Sequence, residues 1–66
     1  MSEQFFVVGR MIEAGLKPNE ISYILFGDYT GKDKPYDQLG FICDTLGLEV
    51  EESMILYYAM QKRQVA

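Results

Sequence analysis

Leu39, Ile42, Cys43 and Leu46 recur at i, i+3, i+4 and i+7 just ahead of Gly47. At ~100° per residue these four side chains share one helix face, so the spacing predicts an amphipathic helix over about 36–46. Asp37 near its start suits the positive end of the helix dipole, and Gly47 stops it. The rest of the chain obeys the same period. Phe5, Val8 and Ile12, with Met11 beside them, predict a helix from Ser2 to about Ala14, with Ser2 as cap and Gly15 as stop. The run FFVV favours extended chain, but no second strand of comparable quality exists to pair with it. Pro18 suits the first turn of a short helix over 18–26 that places Ile21, Ile24 and Leu25 on one face before Gly27. A last helix is expected from Val50 to Arg63, with Glu51 and Glu52 in its first turn and Lys62 and Arg63 in its last. Gln64 to Ala66 are expected to fray. The polar segment Asp28–Lys34, centred on Gly31, is the expected mobile element. The fold class is therefore all-α, a small bundle of four short helices forming one domain over residues 1–66.

Sixty-six residues leave little room for a core. A domain of this size buries only about 60% of the surface its unfolded chain exposes and commonly needs a supplement. Cys43 is the single cysteine and histidine is absent, so an internal disulfide is impossible and a zinc site is not expected. Self-association is the supplement left. Apolar residues at 48% and charged residues at 24% are those of a folded domain. The apolar run Phe5–Val8 follows acid and is too short for a signal peptide, and nothing approaches the ~20 apolar residues of a membrane span. The expectation is a soluble cytoplasmic protein. A formal charge of −4 opposes non-specific attraction to nucleic acid or anionic membrane.

More apolar surface is present than four stripes account for. Val50, Met54, Tyr57 and Tyr58 share one side of the last helix, while Ile55, Leu56 and Met60 point elsewhere. A helix apolar all round is usually buried on more than one side. Phe6, Tyr23, Phe26 and Phe41 also lie off the expected core faces. Either these residues wrap a core that needs every side chain, or the first and last helices dock on something. Phe6, Ile55, Leu56 and Met60 are the candidate self-association residues of a homodimer. Five Tyr, four Phe and four Met agree with an interface composition.

Little here points to catalysis. Without histidine the commonest general base and the Ser-His and Cys-His pairs are missing. Cys43 lies on an apolar stripe, the setting of a structural thiol. GDYTGKDK lacks the glycine spacing and the Ser/Thr of a phosphate loop. Asp28, Asp33 and Asp37 do not match a calcium loop and read as solvated carboxylates. No enzyme activity, metal or cofactor is expected. From Asp37 to Gln61 the chain carries acid and no base. Dipole capping and solvation account for much of this run, but it can also form a negative surface for a basic partner protein.

The stretches NEISYILFG (19–27), KDKP (32–35) and LGFICDTLGLEVEE (39–52) carry a resemblance. Their order resembles the Cro/repressor-type (Xre-like) helix-turn-helix domain over about 38 residues. There, a recognition helix is followed by a basic, Pro-containing loop and a helix that runs through Leu-Gly into a further helix. The resemblance implies an all-α fold, here truncated, because one helix precedes the recognition segment where the family has two. It also implies a dimeric DNA-binding transcription regulator, with Asn19, Ser22 and Tyr23 reading bases and Lys32 and Lys34 touching phosphate. Glu20 is the only charge on that helix.

Taken together, the residues support a small, acidic, non-catalytic interaction protein, bacterial or phage-borne, that regulates or inhibits another protein by covering a basic surface. Phe41, Asp44, Glu51 and Glu52 are its candidate partner-binding residues. The alternative is the helix-turn-helix regulator, in which nucleic acid replaces the partner protein.

Overall fold

The first three helices each end at a left-handed glycine, and the first, second and fourth each begin at a residue whose backbone or side chain makes a capping hydrogen bond. The computed structural model describes residues 2–27 and 35–65, with side chains over 2–27 and 38–63. Helix α1 (Glu3–Glu13) begins on Ser2, whose hydroxyl oxygen accepts the Phe5 N–H at 3.3 Å. It ends at Gly15, where φ is +92°. The Gly15 N–H donates to the Ile12 carbonyl at 3.0 Å and the Leu16 N–H to that of Met11 at 3.1 Å, which satisfies two orphan carbonyls of the last turn. Helix α2 (Pro18–Phe26) starts with proline and stops at Gly27, φ +74°. Helix α3 (Pro35–Leu46) repeats the α1 ending: Gly47 N–H to Asp44 and Leu48 N–H to Cys43, at 3.1 and 3.0 Å. Helix α4 is Val50–Val65. Two glutamates reach back to the amide before their own helix: Glu20 accepts the Lys17 N–H at 2.8 Å, and Glu52 accepts the Glu49 N–H at 2.9 Å. The segment Asp28–Lys34 and the side chain of Asp37 lie outside the described residues.

Helices α1 and α4 pack together and run parallel. Ser2 meets Glu52 at their starts, Gly9 faces Leu56 midway, and Gly15 lies beside Arg63 at their ends. Helix α2 packs chiefly on α3. Helix α3 runs antiparallel to α4, with Gly40 beneath Tyr57 and Cys43 near Ser53. The core lies between the two pairs: Phe5, Val8 and Ile12 from α1, Ile21 from α2, Leu39, Ile42 and Cys43 from α3, Leu56 and Met60 from α4. No strand occurs among the described residues, and Phe5–Val8 are helical. None of the described helices is long and apolar enough to cross a membrane.

Two expected faces are turned. On α2 the buried stripe is Pro18, Ile21 and Ser22, with Leu25 half-buried, and Ile24 faces water. Nine residues hold too few turns for apolar spacing alone to choose between these stripes. On α4 the inward stripe is Glu52, Leu56 and Met60, at i, i+4 and i+8. Leu56 is 1% and Met60 3% exposed, so both belong to the core and neither is free for self-association. Val50, Met54 and Tyr58 point outward, and Tyr57 is half-buried against α3.

Two helical glycines differ in the space around them. A Cβ at Gly9 would meet Leu56 Cδ2 at 3.8 Å, an ordinary contact, whereas one at Gly40 would meet the Tyr57 hydroxyl at 2.6 Å. Gly9→Ala should therefore stabilise by up to about 1 kcal/mol through helix propensity. Gly40→Ala should gain less than Gly9→Ala, because the Tyr57 hydroxyl must shift to admit the new Cβ. Urea unfolding checks both. In a Tyr57→Phe background the two substitutions should give similar gains; a difference that persists would place its cause elsewhere.

Candidate functional site

Nine large apolar side chains lie exposed among the described residues: Phe6, Val7, Tyr23, Ile24, Phe41, Val50, Met54, Ile55 and Tyr58. They do not form one patch. Phe41 projects from α3, where the Phe26 ring meets it edge to face with centroids 6.4 Å apart. Asp44 is exposed one turn further along the same helix. Thr45 closes the turn between them by donating from its hydroxyl to the Phe41 carbonyl at 2.8 Å. A second apolar surface follows α1 and α4. Phe6 and Ile55 line one open groove of about 260 Å³, and Ile55, Tyr58 and Lys62 line the next, of about 480 Å³.

The four candidate partner-binding residues divide by role. Phe41 and Asp44 are exposed on α3, and Glu51 is exposed in the first turn of α4. Glu52 is 5% exposed and its carboxylate is engaged within the chain. One oxygen accepts the Ser2 N–H at 2.8 Å and the Ser2 hydroxyl at 3.1 Å; the other accepts the Glu49 N–H at 2.9 Å. The backbone bond from Ser2, then that from Glu49, hold this carboxyl below its ordinary pKa, against a smaller upward push from burial. Glu52 therefore acts as a structural clasp, and its burial removes it from a partner-facing role. An acidic groove of about 310 Å³, lined by Ser2, Gly47, Glu49, Glu51 and Glu52, surrounds it.

Of the residues implied by the helix-turn-helix resemblance, Tyr23 is exposed and Asn19 half-exposed on α2. Ser22 is fully buried at 0% exposure, so it cannot reach a base. It lies one turn after Pro18 on the inward stripe. Lys32 and Lys34 fall outside the described residues. Of the self-association residues, Phe6 and Ile55 are exposed at 57% and 44%. Val50, Met54 and Tyr58 were missed as surface because α4 is apolar on every side. The inward stripe is marked only by the burial of Glu52, four and eight positions before Leu56 and Met60, which the structure shows and residue type does not.

Cys43 is buried, and desolvation raises its pKa; the Ser53 hydroxyl pulls it partly back, and Asp44 and Glu52 add to the rise. No group of three His, Cys, Asp or Glu side chains that could hold a metal occurs among the described residues. The thiol should react with an aromatic disulfide reagent at pH 8 at least about 100-fold more slowly in the native protein than in guanidinium, since thiolate character and access govern the rate. Comparable rates would contradict its burial.

The clasp has a pH signature. A carboxyl whose pKa is lower in the folded than in the unfolded state stabilises above the unfolded value, and that stability is lost as pH falls through the folded one. Thermal stability should therefore drop as pH falls below about 4.5. Glu52→Gln puts an amide donor against donors on one side of the clasp. It should lower Tm at pH 7 by more than Glu51→Gln does, and flatten the acid limb. Equal effects of the two substitutions would refute the clasp.

Comparison with family models, with curated proteins and with solved structures finds no match.

Proposed function

We propose that this chain is a small non-catalytic interaction module that regulates another protein by binding over a basic surface, with Phe41 and Asp44 of α3 at the contact. The observation that carries this reading is an aromatic ring held in place and still open to water. Phe26 supports Phe41 at an interplanar angle of 88°, while Phe41 keeps 44% of its surface exposed. A side chain ordered before contact loses little entropy on binding, and aromatic anchors dominate the energy of small interfaces. Asp44 beside it offers a rim carboxylate, which sets partner choice and association rate more than affinity. A formal charge of −4 points the same way. The absence of histidine and the buried state of the one thiol remove the usual nucleophile pairs, so binding rather than turnover is the activity supported.

The test is capture from a lysate of the source cells on immobilised chain, run in parallel with Phe41→Ala and Asp44→Lys. A protein held by the wild type should be lost or weakened at least tenfold with Phe41→Ala. It should be weakened by Asp44→Lys and by ~0.5 M salt, as screening of a rim charge requires. Unchanged helical circular dichroism in both variants excludes misfolding. Equal capture by wild type and Phe41→Ala would overturn the proposal, as would capture of nucleic acid that is lost with Asn19 and Tyr23 substitutions.

A further inference from the structure

Along α4, Glu51, Ile55, Tyr58 and Lys62 follow one another at steps of four, three and four residues, and all four are exposed. This is the spacing of a coiled-coil seam, with Ile55 and Tyr58 at its two central positions and one charge of each sign at its ends. The pattern is complementary to itself in one orientation only. If a second copy of the helix runs antiparallel about an axis between residues 56 and 57, Ile55 meets Tyr58 of the second copy and Tyr58 meets its Ile55. Glu51 then meets Lys62 of the second copy at both ends. A parallel pairing would set Glu51 on Glu51 and Lys62 on Lys62. We infer that this face of α4 is a two-fold, antiparallel homodimer seam.

The surroundings fit that occupant. Phe6 of α1 shares a groove with Ile55 and extends the apolar strip sideways. Met54 and Val50, 63% and 74% exposed, flank it on the other side. Lys62 Nζ lies over the Tyr58 ring, 5.9 Å from its centre, so the cation is already held next to the apolar strip. A two-fold interface uses the same patch on both subunits and so requires self-complementarity, a property that a foreign partner would not impose. A standard interface of about 800 Å² per subunit would cover roughly a sixth of the 4577 Å² surface. The inference does not rest on the reading above, because Phe41 and Asp44 are on α3 and take no part in the seam.

Sedimentation equilibrium of the full chain between about 10 and 500 μM tests it, since dimer population follows protomer concentration. The wild type should reach a dimer, and Ile55→Asp should stay monomeric. Glu51→Lys and Lys62→Glu should each raise the dissociation constant about tenfold, because each converts two rim pairs into like charges. The double reversal Glu51→Lys/Lys62→Glu should return to within about twofold of wild type, the pairs being restored with opposite polarity. A wild type that is monomeric at 500 μM would overturn the inference. So would single reversals without effect, or a double reversal as weak as either single. Phe41→Ala should leave the dimer intact, so loss of partner capture and loss of dimer are separable.

Discussion

The Glu52 carboxylate is the contact on which the arrangement of this bundle depends. Helices α1 and α4 run parallel, so their positive N-terminal ends lie side by side, an unfavourable placement for two macrodipoles. Glu52 puts an anion at that junction and accepts hydrogens from the Ser2 amide, the Ser2 hydroxyl and the Glu49 amide. Ser2 in turn accepts from Phe5, so one carboxylate organises the start of both helices through a single relay. At the far end Arg63 lies beside Gly15, where the end of α1 is negative. The parallel pair thus has an anion at its joint start and a cation near its finish.

The clasp also sets the rotation of α4. With Glu52 turned in, Leu56 and Met60 must follow it into the core at steps of four. Ile55, Tyr58 and Met54 are then left outside, whatever their hydrophobicity. None of the described helices covers them. The exposed apolar surface of α4 is in this sense a consequence of a polar contact at its first turn.

Two surfaces of different chemistry result, one on α3 with a fixed aromatic and an acid beside it, the other on α4 with apolar centre and charges of both signs. They lie on separate helices, and Gly40 of α3 lies beneath Tyr57 of α4.

Helix number, the helix limits other than the end of α4, which runs to Val65 rather than Arg63, and the interior of α1 and α3 were legible from the amino-acid order alone. Ser2, Pro18, Gly15, Gly27 and Gly47 act through local backbone geometry, and the stripes Phe5–Val8–Ile12 and Leu39–Ile42–Cys43–Leu46 each admit one inward face. Ile24, Leu56, Met60, Ser22 and Glu52 were not legible in the same way. Helix α2 is too short and the centre of α4 too uniformly apolar for periodicity to choose a side, and a buried glutamate reads as solvated until its three donors are in place. Local rules determined which segments are helices. Only tertiary packing, by bringing Ser2 fifty residues along the chain to Glu52, decided which side of the last helix faces water.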